Sequence, residues 1–202
     1  MVSIRSIVAA IALTLPVMAQ TTPAQVVTNI QMLTRKSQAL QQPAQSISLI
    51  NGPLIVIGLG PFPKIILGFT DIVTTTTTAL AQMNGMDPVP AGAQSDAIFD
   101  AFREFVRVHQ VLLNILIGKA GLFSTVPLIG GPVAAALREV ENIVDTVAFA
   151  LIDAVQSRAT DLQRQGDALS GTLTTAINAY GGISLKREVP ISRVRRALVA
   201  AN

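Results

Sequence analysis

The segment from Ser95 to Leu116 reads SDAIFDAFREFVRVHQVLLNIL. Within it Ile98, Phe102, Phe105, His109, Leu112, Leu113 and Leu116 recur at three- and four-residue intervals. A helix puts them on one stripe and leaves Arg103, Glu104 and Arg107 off it. Ser95 is a suitable N-cap, and Asp96 in the first turn complements the helix dipole. An amphipathic helix with one buried face is predicted.

The same period recurs on either side. Thr22 is placed to cap a helix with Pro23 at its first position and Gln25 in a capping-box layout. Val26, Ile30, Leu33 and Leu40 then share a face, with Ser37 among them. Pro43 should kink or end this helix, with a resumption through Ile50 before Asn51-Gly52-Pro53 stops it. From Pro63 to Met83, Ile65, Phe69, Ile72, Thr76, Leu80 and Met83 align, and Gly85 follows. Thr74 to Thr78 is a β-branched run that favours strand locally, but the longer helical period outweighs it.

A turn-rich linker, Asp87 to Gly92, leads into the Ser95 helix, and an irregular apolar connector from Gly118 to Gly131 leads out of it. A fourth helix from about Pro132 aligns Val133, Leu137, Val140, Val144, Val147, Leu151 and Val155. A fifth aligns Leu162, Gly166, Leu169, Leu173, Ile177 and Tyr180. No Gly or Pro separates these two, although Thr160 with Gln163 offers a cap. Five one-sided stripes predict an all-α, up-and-down bundle of about five helices, with a central hydrophobic cavity as one of two readings of its core.

Composition argues for binding over catalysis. Half of the 202 residues are apolar and only 13% are charged, with one histidine, no cysteine and no tryptophan. Most hydrolytic and redox mechanisms need a poised base, a thiolate, a metal cluster or a cofactor. No two carboxylates share an apolar stripe. Gly58-Leu59-Gly60 lacks the third glycine of a dinucleotide fingerprint, because Pro63 stands there. Gly118-Lys119 lacks the rest of a phosphate loop, and no G-x-S-x-G nucleophile elbow occurs. A single histidine rules out a multi-histidine metal site, so the expectation is no enzyme, no cofactor and no metal.

The first residues carry a targeting signal. Arg5 precedes the apolar run Ile7 to Leu15, Pro16 breaks it, and Val17-Met18-Ala19 suits a signal peptidase. Residues 1–19 are therefore read as a secretory signal, 20–185 as the binding domain and 186–202 as a basic tail open to processing at Lys186-Arg187. The location expected is extracellular or at the cell wall. The formal net charge of +3 is concentrated in that tail. Between Gln20 and Leu185 nine basic residues face eleven acidic ones, with no nucleic-acid footprint. A mean hydropathy of +0.52 and uncharged stretches at 37–63 and 120–137 raise a membrane protein as rival. Prolines, glycines and amides interrupt both stretches, so no transmembrane segment is expected after signal cleavage.

Polar and small residues inside the stripes single out a site. Ser37, Thr76, His109 and Gly166 fall near the centres of their helices' apolar faces, where a tight core would place Leu or Ile. Two readings stand: satisfied core residues, each with a local partner, or the handles of an internal hollow. On the second reading Phe69 and Thr76, then Phe102, His109 and Leu113, then Val140, Val144 and Val147, and lastly Leu169 and Leu173 form the ligand-binding set.

The stretch Leu112-Leu113, Leu116-Ile117, Lys119, Leu122-Phe123 continues through Val133, Leu137, Val140, Asp145, Phe149-Ala150-Leu151-Ile152 and Val155 to Leu173, Ala176-Ile177 and Ala179-Tyr180. With Val26-Val27, Ile30, Leu33 and Leu40, this apolar spacing resembles the fungal hydrophobic surface-binding protein A family, which includes cell-wall galactomannoproteins. The resemblance covers roughly Pro23 to Tyr180 and is a spacing pattern, not an invariant motif. It implies a secreted or wall-associated helical domain that binds lipids or hydrophobic surfaces without catalysis. The chain departs from the pattern between Ile47 and Pro63, and it has no long Ser/Thr-rich stalk. The expected partners are fatty acids, other lipids or hydrophobic surfaces, and not nucleic acid. The alternative is a wall adhesion protein that recruits a secreted hydrolase to hydrophobic surfaces.

Overall fold

Thr22 opens the first helix as the sequence requires: it has extended backbone angles, and its hydroxyl accepts from the Gln25 N–H at 3.2 Å. Gln25 does not complete the box; its amide turns along the helix to Asn29. The computed structural model describes residues 21–51, 54, 57–123 and 127–181. The signal read at 1–19, the tail at 186–202 and the Gly52-Pro53 part of the expected helix stop lie outside the described residues. Six helices are present among them: α1 Pro23–Ala39, α2 Gln41–Gln45, α3 Pro61–Met83, α4 Ala93–Ala120, α5 Pro127–Ala154 and α6 Ala159–Tyr180. Five are long and α2 is short, so the all-α five-helix expectation is borne out.

Boundaries move where proline and capping chemistry dictate. Pro43 cannot donate to the Ala39 carbonyl, and α1 ends at Ala39. The resumption is the short α2, which stops at Gln45 and not near Ile50. α3 begins at Pro61, two residues before the expected Pro63, because the first turn of a helix tolerates proline. The threonine run stays helical: Thr74, Thr76, Thr77 and Thr78 each donate a hydroxyl to the carbonyl one turn back, at 2.7–3.1 Å.

α4 starts before Ser95. Gly92, with φ of 140°, is the N-cap, and Ser95 sits three residues inside, accepting from the Gly92 N–H at 3.0 Å. A side chain at Gly92 would strain that turn, which is why the cap falls on glycine. α5 runs from Pro127 and carries Pro132 within it, earlier than expected. The unmarked break between the last two helices is at Val155, a buried residue with φ −126° and ψ 63°, followed by a 3-10 turn at Gln156–Arg158. α6 therefore begins at Ala159, and Thr160 is not its cap.

Direction alternates along the chain, but neighbours in sequence are not all neighbours in space. The long helices close a ring in the order α1, α4, α6, α5, α3 and back to α1. Lys36 of α1 pairs with Asp71 of α3, and Asn29 of α1 donates to Gln82 near the far end of α3, so these two run antiparallel. Gln110 of α4 bonds Ala168 and Thr172 of α6, and Tyr180 of α6 donates to the Leu116 carbonyl, so these two run parallel. The faces of all five helices turned inward form one continuous apolar core. At about 25 cal/mol per Å² of apolar surface buried, that core carries the fold of a chain that has no disulfide.

Candidate functional site

α3 and α4 face each other across the ring, and His109 on α4 meets Phe69 on α3 there, ring centroids 6.2 Å apart. Phe105, one turn earlier on α4, lies 5.4 Å from the same imidazole and 6.2 Å from Phe102. From α1, the Ser37 hydroxyl oxygen comes within 2.8 Å of His109 Nδ1. The imidazole is fully buried, and desolvation pushes its pKa from 6.5 down to about 4. It is neutral at physiological pH.

The tautomer follows by elimination. Nδ1 is the only partner of the Ser37 hydroxyl among the described residues. If Nδ1 carried the proton, both the serine hydrogen and Nε2 would be left unpaired. With Ser37 donating to Nδ1, one group alone is orphaned, and the proton of the neutral ring sits on Nε2. That Nε2 is buried with no hydrogen-bond partner among the described residues. An unsatisfied buried donor costs about 1–3 kcal/mol. The site is therefore an N–H donor set in an aromatic and aliphatic wall, offering a bond to any acceptor that reaches it.

The other three central positions are explained by direct contacts. The Thr76 hydroxyl donates to the Ile72 carbonyl at 2.7 Å. Ser37 is spent on His109. A β-carbon at Gly166 would come 3.2 Å from that of Ala148, so this glycine lets α5 and α6 approach closely and marks no hollow. Of the two readings of these positions, the packed one holds for Thr76 and Gly166. His109 differs in keeping an unmet bond.

All ten residues singled out by the sequence are buried in the interior. Phe69 and Thr76 come from α3, Phe102, His109 and Leu113 from α4, Val140, Val144 and Val147 from α5, and Leu169 and Leu173 from α6. That set omits Ser37, although its stripe-centre position was the available signal, and Phe105, which stood on the stripe beside His109. Tyr180 closes the same core, its hydroxyl bonded to Leu116 at 2.9 Å and its pKa raised by burial. Among the described residues no cluster of His, Asp or Glu could hold a metal ion, and no helix is long and apolar enough to cross a membrane.

No family model matches the chain, and no curated protein matches it. Solved structures do, and what they share with this chain is the helical fold. The structure of AFMP4P in complex with palmitic acid superposes with a TM-score of 0.69 at 14% identity, over 79% of this chain and 99% of that one. Ligand binding domain 2 of Penicillium marneffei MP1, complexed with multiple arachidonic acids, gives 0.64 at 14% identity, over 79% and 94%. Domain 1 of the same protein, complexed with arachidonic acids, gives 0.60 at 15% identity, over 77% and 98%. At these identities the likeness is one of fold.

Proposed function

We propose that this protein is a non-catalytic carrier of a long-chain fatty acid, held inside the helical ring with its carboxyl group at His109. The observation that carries the reading is the buried Nε2 of His109, which has no hydrogen-bond partner among the described residues. A donor surrounded by Phe69, Phe105 and aliphatic side chains suits an amphiphile with one acceptor group and a long apolar body. Burying the chain contributes about 0.8 kcal/mol per methylene, so one polar contact is enough to orient it. The palmitic and arachidonic acids held by proteins of the same fold support this choice of ligand. The layout of residues 1–19 adds secretion to the proposal, with the cell surface or wall as the place of action.

The test is binding of palmitate to delipidated protein by calorimetry, alongside mass spectrometry of lipids carried by the protein as purified. Saturable binding is expected. His109→Leu should weaken palmitate about ten-fold or more, the range of a hydrogen bond to a charged group, and should spare an alkane of equal length. Failure of the wild-type protein to bind palmitate, with no co-purifying lipid, would overturn the reading.

A further inference from the structure

The connector from α2 to α3 exposes apolar side chains in a way the core does not explain. Ile50 is 90% exposed, Ile57 66%, Leu49 62% and Leu59 58%. The described residues of the connector are nonetheless held by hydrogen bonds. Asn51 accepts from the Ser48 N–H and donates to the Ser46 carbonyl, the Leu59 N–H reaches the Leu54 carbonyl, and Lys119 of α4 donates to the Ile47 carbonyl. These bonds fix greasy side chains in water, where each costs free energy that another surface could relieve.

Charge says which surface. No acidic residue occurs before Asp71 in the whole sequence. The end of the ring bearing the connector holds Lys64 and Lys119, and neither makes an ion pair among the described residues. Lys64 borders an open groove of about 450 Å³ with Gln42, Ser46, Asn51 and Leu59, and the exposed Leu67 lies one turn further along α3. The opposite end is acidic, with Asp87 and Asp153 there and Asp96 and Asp161 bracing Arg158. Apolar tips beside Lys64, a cation with no ion pair among the described residues, match an anionic lipid surface, with hydrocarbon within and phosphate at its rim.

We propose that the α2–α3 end docks on anionic lipid bilayers, Leu49, Ile50, Ile57 and Leu59 entering the acyl boundary and Lys64 meeting headgroup phosphates. Docking stands independently of the interior ligand. The protein has no tryptophan, so a single introduced one reports alone. Ile50→Trp should shift its emission to the blue on vesicles of phosphatidylcholine with 30% phosphatidylserine, and much less on phosphatidylcholine alone. Lys64→Glu in that background should lower vesicle affinity about ten-fold. Phe149→Trp, at an exposed apolar position on α5 away from the connector, should not shift. Ile50→Asp should lose vesicle binding and keep palmitate binding in solution, which separates this proposal from the interior one. An unshifted Ile50→Trp would overturn docking. Equal shifts on neutral and anionic vesicles, or from both tryptophans, would mark charge-blind adsorption to apolar surfaces and overturn the bilayer assignment.

Discussion

Ser37 and His109 stand 72 positions apart in the chain, yet the serine hydroxyl lies 2.8 Å from the imidazole Nδ1 in the middle of an apolar core. The bond ties α1 to α4 and fixes which imidazole nitrogen holds the proton. Each residue alone is an awkward occupant of a helix stripe. Together they leave a single unmet donor among the described residues, and that donor gives the interior a chemical direction.

Acid should weaken the fold through His109. Its folded pKa of about 4 lies below the ordinary 6.5, so the unfolded chain takes up a proton that the folded chain refuses. The stability contributed by the neutral imidazole is complete above about pH 6.5 and is lost as pH falls toward 4. The slope over that window is at most about 1.4 kcal/mol per pH unit. Urea unfolding at pH 7 and pH 5 should show the loss in the wild type, and His109→Leu should flatten this component.

Ser37→Ala should strip the imidazole of its only hydrogen-bond partner among the described residues. Leaving Nδ1 as a second unsatisfied atom is expected to cost about 1–3 kcal/mol, well beyond the few tenths of an ordinary surface change. Thr76→Val tests the contrast, because its hydroxyl bonds a carbonyl already engaged in the helix. That change should stay within about 1 kcal/mol in the same denaturation assay.

Adjacent glycines in α5 should respond with opposite signs. A β-carbon at Gly131 meets nothing, so Gly131→Ala should gain up to about 1 kcal/mol from helix propensity. At Gly130 a β-carbon would collide with the Tyr180 carbonyl oxygen, which is backbone and cannot swing aside. Gly130→Ala should destabilise by roughly 1–3 kcal/mol, with melting temperatures of the two variants falling on either side of the wild type.

At the α5–α6 corner, Arg158 binds Asp96 through Nε and Nη2 at 3.0 and 2.6 Å, reaches Asp161 at 3.3 Å and covers the Phe99 ring at 5.6 Å. The groups are part-exposed, which limits what the charges contribute. Arg158→Ala is expected to lower the melting temperature modestly. Raising salt from low ionic strength to 1 M should shrink that difference, and no change with salt would assign it to packing on Phe99.

Periodicity in the sequence was enough to define the five long helices, their inward faces and the burial of the ten singled-out residues. An apolar stripe must leave water wherever the helix ends up. Helix ends were less legible, since Gly92, Pro61 and Val155 act through local backbone geometry that residue type only suggests. The ring order was not legible at all: nothing within α1 or α4 says that they pack side by side and parallel. For that reason Ser37 and Gly166 looked alike in sequence, two small residues at stripe centres. Only the packing gave one a histidine to bond and the other a methyl group to admit. The unmet Nε2–H is likewise a tertiary fact, because a donor is orphaned only when every neighbour that folding brings to it lacks an acceptor.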